Sequence, residues 1–314
     1  MRIFANPNYD FIRWRWHALI ASMTIMAIGF YVAAFRQGLP LGIEFTGGTA
    51  IVVEFVQPTD EGQVRAAIEP VAKDATVQRV GTDNKRIMIR LQQMEGQAAG
   101  TALEDDAKRV EQALNTAGLG QHTVISKDIV GAVVGSDLQR KGIWATITAL
   151  GGILVYIALR FRFTFAVGAI AAVVHDILIT LSMLAFFHYD LTLNVIAAIL
   201  TITGYSVNDT IVVFDRVREN QRTMRREPLD KIVNSSVNQT MARTVITSGV
   251  TLLAVLALYI FGGDVLRGFA FTMVIGVITG TYSTVFIASS IAIILSRRTT
   301  PPATAQPQPK LRRA

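Results

Sequence analysis

The chain contains no cysteine, which excludes a disulfide framework and a thiolate-bound metal. Charge is scarce as well. Asp, Glu, Lys and Arg make up 17% of the 314 residues, where a soluble domain carries about 25%. A surface so poor in charge must meet something other than water. No glycine-rich loop ends in Lys-Ser or Lys-Thr, so ATP is not the expected fuel. The formal charge of +7 would suit a nucleic acid. A membrane protein, however, gathers Lys and Arg in its cytoplasmic loops, and that explains the excess without a nucleic-acid partner.

Apolar residues are plentiful at 51%, and they come in long runs. A stretch of about 18 apolar residues is long enough to span a bilayer as a helix. Such runs cover His17 to Phe35, Gly142 to Leu159, Thr164 to Phe187, Leu191 to Phe214, Thr244 to Phe261 and Gly268 to Leu295. The first has the small residues Ala33 and Ala34 where a signal peptide is cut, but its apolar core is too long for one. Six spans are therefore expected, the last long enough to tilt or to extend past the bilayer.

The connecting segments set the orientation. Cations lie before the first span (Arg2, Arg13, Arg15), between spans two and three (Arg160, Arg162) and between spans four and five (Arg216, Arg218, Arg222, Arg225, Arg226, Lys231, Arg243). More follow the last span (Arg297, Arg298, Lys310, Arg312, Arg313). All these segments share one side of the membrane, and the loops around His188 and Asp264 on the other side carry almost none. The positive-inside rule then places both termini in the cytoplasm.

Residues 39–135 form the exception, an extracytoplasmic domain expected between spans one and two. Ile51 to Val56 is β-branched and reads as a strand. Asp60 to Lys73 has helical spacing at Val64, Ala67, Ile68 and Val71. Thr76 to Val80 and Arg86 to Leu91 alternate around the turn Gly81-Thr82-Asp83-Asn84. Thr101 and Glu104 read as a capping box for a helix that stops at Gly118. His122 to Val130 is a last strand, and Gly96 to Gly100 a small flexible loop. The order βαββαβ matches the ferredoxin-like split βαβ arrangement. Phe45-Thr46-Gly47-Gly48-Thr49 is expected to be a bend into the first strand, and His122 a structural strand residue. The domain holds no paired carboxylates, metal cluster or nucleophile constellation, so it reads as a binding or leverage module and not as an enzyme. The expected divisions are 1–38, 39–135, 136–298 and a disordered tail at 299–314.

Ionisable residues inside spans are functional candidates by default. His175 and Asp176 fall near the middle of span three. They point about 100° apart on a helix and are expected to serve different neighbours. Asp209 lies in span four, six residues before Asp215, hence roughly 9 Å inside that end. Polar stripes accompany them: Asn194, Thr201, Tyr205 and Asn208 in span four, and Ser236, Thr240, Arg243, Thr247 and Thr251 in span five. Both are expected to face the bundle interior. Asp209 and Arg243 could form a static ion pair that fixes packing, or a working proton site. Gly276 and Gly280 in span six have the small-xxx-small spacing that permits close helix contact.

The segment from Gly204-Tyr205-Ser206-Val207-Asn208-Asp209-Thr210 to Asn220 resembles the fourth-helix signature of the SecF family of bacterial protein-export membrane proteins. Val174-His175-Asp176 resembles the family's third-helix motif, Asn238-Gln239-Thr240-Met241-Ala242-Arg243-Thr244 the start of its fifth helix, and Gly42-Ile43-Glu44-Phe45-Thr46-Gly47-Gly48 its motif after helix one. The match covers about residues 10–298 and includes the six-span plan. Ala132 departs from it, standing where the family often has proline.

The resemblance implies one half of a twelve-helix, proton-driven assembly in the inner membrane, related to the resistance-nodulation-division (RND) transporters. It implies SecD, the SecYEG channel and YajC as partners, with the exported polypeptide as substrate. No cofactor is expected beyond the proton gradient. Positions matching Asp209 and Arg243 are associated in the family with proton flow, together with an aspartate of SecD. His175, Asp176, Tyr205, Asn208, Thr240 and Thr247 would be supporting polar groups. One unit charge crossing about 100 mV releases roughly 2.3 kcal/mol. In low dielectric a carboxyl group favours its neutral form, and an approaching cation favours the charged one. The expected mechanism is that Asp209 binds and releases a proton as its distance from Arg243 changes. Two other readings are a small-molecule exporter half of the same superfamily and a purely structural stabiliser of the export channel.

Overall fold

A computed structural model describes residues 8–35, 40–73, 75–80, 84–91 and 101–299. The loop at Gly96–Gly100, residues 81–83 of the expected turn, the side chain of Thr101, Arg2 and the tail from 300 onward lie outside the described residues.

Among the described residues six helices are long and apolar enough to cross a membrane. The first is α1 (Arg15–Phe35). A short turn of helix, α2 (Ile43–Thr46), then leads into the outer domain. That domain consists of β1 (Gly48–Phe55), α3 (Glu61–Ile68), β2 (Thr76–Val80), β3 (Arg86–Leu91), α4 (Thr101–Thr116) and β4 (His122–Val130). The remaining spans are α5 (Ala132–Arg160), α6 (Phe163–Phe187), α7 (Leu193–Thr223) and α8 (Leu229–Phe261). The last is a continuous rod of α9 (Gly263–Ser283), one π-helical turn (Thr284–Ala288) and α10 (Ser289–Thr299). Helices α7 and α8 run well past their apolar stretches. Arg216, Arg218, Glu219, Gln221 and Arg222 are good helix formers, so the backbone ladder continues after the bilayer has ended.

The four strands form one antiparallel sheet in the order β2-β3-β1-β4, the ferredoxin-like arrangement that the βαββαβ order leads one to expect. Ile51 opposes Ile89 and Val53 opposes Ile87. These residues join Phe55, Val77, Val64, Ile68, Ala107, Val110 and Leu114 in a core between the sheet and its two helices. A bulge between Val52 and Val53 keeps β4 in step with β1. Helix α3 stops at Ile68 instead of continuing to Lys73. Glu69 still bonds back to the Arg65 carbonyl, but Pro70 has no N–H to extend the ladder, and the chain passes into turns. At the entry to β1 the bend falls on Gly47 and Gly48, with φ of 71° and 123°, a backbone that a side chain would strain. His122 is a structural strand residue, its ring beside Phe55 and its Nδ1 3.2 Å from the carbonyl of Gly120.

In the membrane bundle α7 is the centre, packed between α6, α8 and α9. A Cβ at Gly276 would lie 2.6 Å from that of Ile202, and one at Gly280 2.9 Å from that of Ser206. Glycine at both positions therefore lets α9 close onto α7.

Candidate functional site

Asp209 is 3% exposed. It sits on the face of α7 that also carries Ile202, Ser206 and Val213. The hydroxyl of Ser248 on α8 donates to its Oδ2 over 3.5 Å. Ser248 also receives the Tyr205 hydroxyl at 3.2 Å and lies 2.8 Å from the Thr281 hydroxyl on α9. Hydroxyl groups from three helices are thus linked to one buried carboxylate through Ser248. Among the described residues Asp209 and Arg243 make no ion pair, so the static-pair reading does not describe this conformation. Arg243 lies five residues from Ser248, about 7.5 Å along the helix, and its side chain is exposed.

The second carboxylate, Asp176 on α6, is 2% exposed. Its Oδ2 accepts hydrogen bonds from Ser206 on α7 at 2.5 Å and from Ser283 on α9 at 2.7 Å. Its Oδ1 lies 3.0 Å from Nδ1 of His175. The expectation that these neighbours point apart fails. Both side chains are buried and swing toward each other, because a buried polar group is costly unless hydrogen-bonded and the second carboxylate oxygen offers the ring nitrogen a partner. His175 stacks on Tyr282, with ring centroids 6.1 Å apart. The Tyr282 hydroxyl donates to the carbonyl of Ala18 and lies 3.0 Å from that of Ser22, which brings α1 into the network.

The π-helical turn follows Ser283. It lets the Ser289 hydroxyl reach the carbonyl of Thr284 at 3.0 Å and sets Thr284 2.9 Å from Thr210. Single π turns often mark functional sites in helices. Ser206, which holds Asp176, is one turn from Asp209 on α7, about 4.5 Å along the axis. Helix α7 therefore carries Asp209 one turn from the serine that holds Asp176.

The polar stripes are placed differently from expectation. On α8 the inward row is Ser236, Thr240, Thr244 and Ser248, while Arg243 and Thr247 face outward. This helix is polar on two sides, so spacing by three or four residues selects either row. On α7 Asn194, Thr201 and Asn208 are exposed and only Tyr205 is half-buried. Thr240 bonds back to the Ser236 carbonyl at 3.0 Å, and Thr247 to that of Arg243 at 3.0 Å. The sequence reading missed Ser206, Ser248, Ser283 and Thr284. Their signal was weak, a hydroxyl one helical turn from an intramembrane aspartate or beside it across a seam. Toward the other end, Arg160 binds both oxygens of Asp215 at 2.9 Å, and Asn220 bonds Ser236 at 2.8 Å, tying α5, α7 and α8.

Comparison with known proteins adds to this geometry. Residues 109–298 match the family described as protein export membrane protein SecD/SecF, C-terminal, and residues 32–59 match the SecD/SecF GG motif. The protein translocase subunit SecF of Rhodothermus marinus is 39% identical over 305 residues, covering 95% of this chain and 96% of that one. That of Rhodobacter capsulatus is 42% identical over 300 residues, covering 92% and 90%. The crystal structure of the translocon-associated membrane protein SecDF from Thermus thermophilus superposes with a TM-score of 0.81 at 34% identity, over 93% of this chain. A SecDF structure in a super-membrane-facing form gives 0.67 at 34% identity over 94% of this chain. This chain spans 39% and 40% of those two SecDF chains. The six apolar helices, the four-stranded outer domain and the glycine-glycine bend leading into its first strand accord with these matches, and the chain belongs to the SecD/SecF family of protein-export membrane proteins.

Proposed function

We propose that this chain is the SecF-type half of a proton-driven translocation machine whose other half is a SecD-type subunit. The observation that carries the reading is the polar flank left open at membrane depth. Asn194, Thr201 and Asn208 on α7 and Arg243 and Thr247 on α8 are exposed, and Asn208 directly precedes the buried Asp209. Polar side chains are costly against lipid, up to about 2.5–3.5 kcal/mol for an arginine at the bilayer centre and less toward the end where Arg243 lies, so this flank suits a second helical bundle better than hydrocarbon. The SecDF relatives, in which the matching portion is about two fifths of the chain, support a SecD partner.

In this reading Asp209 takes up a proton from one side and releases it to the other as its distance from Arg243 changes when the halves shift. The hydroxyls of Ser248, Tyr205 and Thr281 supply the hydrogen bonds along the route. His175 and Asp176, clamped by Ser206 and Ser283, keep α6, α7 and α9 in register during the movement. The outer domain acts on the exported polypeptide as it emerges from the SecYEG channel, with YajC as an accessory. The protein resides in the bacterial inner membrane with both termini in the cytoplasm, and it catalyses no covalent reaction.

The test is Asp209→Asn, which keeps shape and removes charge, in vesicles that hold the full complex under an imposed gradient. Loss of proton conduction and of gradient-stimulated export at normal complex levels supports the reading. Retention of both makes the chain a structural subunit.

A further inference from the structure

One face of the sheet in the outer domain is covered by α3 and α4; among the described residues of the domain the other has no helix of its own. Ala50, Val52, Gln78, Met88 and Arg90 point from this second face toward the membrane part, across a cleft of about 1010 Å³. At one side the cleft is closed by the five residues that join α6 to α7, His188 to Thr192. This short connection carries a left-handed residue, His188 with φ of 62°, and α7 is capped by the Thr192 hydroxyl.

The contact there has three layers. The backbone of the segment before α2 pairs with the connection, Gly42 N–H to the Leu191 carbonyl at 2.9 Å and Leu191 N–H to the Pro40 carbonyl at 2.8 Å. Gln78 on β2 donates to the carbonyl of His188 at 2.5 Å. Arg90 on β3 donates to Asp190, and the same nitrogen lies 3.4 Å from Gln78 Oε1. The side chains of Arg90 and Asp190 are only 10% and 13% exposed. Burial pushes the Arg90 guanidinium pKa down, and the nearby Glu44 carboxylate opposes that shift. A buried ion pair of this kind is weak as a source of net stability but costly to break from one side. It is better suited to fixing a geometry than to holding the fold together.

The position of the connection gives the pair its meaning. Helix α6 ends in it and carries Asp176; helix α7 begins from it and carries Asp209. Any displacement of these two helices arrives at residues 188–192. We propose that Arg90 and Asp190 are positioning residues that transmit movement of the α6–α7 pair to the outer domain, with Gln78 and the Leu41–Leu191 bridge as their support. This rests on the proton-driven reading above. Neither residue moves protons; they determine whether proton movement turns into work outside the membrane.

The test uses the complete complex in vesicles and two readouts, proton conduction under a gradient and gradient-stimulated export. Arg90→Met keeps the length of the side chain, and Asp190→Asn keeps its shape. Both are expected to leave conduction at the wild-type level and to lower the export stimulation by about tenfold, within the usual range of coupling between distant sites. Asp209→Asn is expected to lower both readouts together. The chain has no native cysteine, so Leu41→Cys with Leu191→Cys gives a clean covalent substitute. Bridge partners suit a disulfide, whose Cα atoms lie roughly 4.4–6.8 Å apart. Oxidising that pair in the Arg90→Met background is expected to restore export stimulation, and reduction to abolish it again.

The proposal is overturned if export is unaffected, if conduction falls in step with export, or if the formed disulfide fails to restore coupling. Should the wild-type complex conduct no protons, the proton reading fails by itself. The latch is then judged by the rate of disulfide formation in the same pair. Slowing by Arg90→Met upholds the contact, and an unchanged rate removes it.

Discussion

The carboxylate of Asp176 offers the sharpest test of how the bundle is held. Its Oδ2 accepts from Ser206 at 2.5 Å and from Ser283 at 2.7 Å, on two different helices. Ser206→Ala and Ser283→Ala each delete one donor and leave helix propensity nearly unchanged. A hydrogen bond to a charged group is worth about 1.5–3 kcal/mol in soluble proteins. Inside membranes, double-mutant cycles average about 0.6 and reach about 1.7 kcal/mol. Each single change is therefore expected to cost about 1–1.5 kcal/mol, close to a tenfold shift in the unfolding equilibrium. The double change should cost more than the sum, about 3–4 kcal/mol, because the first deletion leaves Oδ2 one donor and the second leaves none in hydrocarbon.

The assay is reversible unfolding of the purified chain in mixed micelles, titrated with a denaturing detergent. Ser182→Ala is the control: among the described residues this buried serine bonds only to the Leu178 carbonyl of its own helix, at 2.7 Å. If the Ser206 and Ser283 variants unfold with the control, Asp176 is not held by these hydroxyls. The joining of α6, α7 and α9 through it would then be wrong.

Gly276→Val places a methyl-bearing carbon against Ile202. It should weaken the α7–α9 contact by about 1–3 kcal/mol in the same titration, as overpacking does. The outer domain has a core of its own residues, so a fragment covering 40–131 should unfold cooperatively by circular dichroism, and Ile89→Ala should cost it about 2–5 kcal/mol. A fragment without a transition would mean that the membrane part completes its core. Reporters fused after Gly118 and after Arg225 should behave as exported and cytoplasmic respectively; the reverse pattern would invert the orientation. Arg243→Lys keeps the charge but loses the planar fork, and should lower proton conduction in the assembled complex without lowering its amount.

The spans, the split βαβ domain and both intramembrane aspartates were legible in the sequence. Each depends on local chemistry: run length against bilayer thickness, alternation against helical spacing, a charge where hydrocarbon is expected. Helix ends were less legible, since α7 and α8 outlast their apolar runs on helix-forming polar residues. Which side of a helix faces inward was decided only by the tertiary structure. Helix α8 has polar rows at Arg243 and Thr247 and at Thr244 and Ser248, and the choice between them was made by where α7 and α9 lie. The pairing of His175 with Asp176 and the hydroxyls around Asp209 came from the same source. So did the meeting of Arg90 with Asp190, 100 residues apart in the chain. A hydrogen bond between distant residues has no periodicity to read; it exists because packing removes water from both partners and brings them within reach of each other.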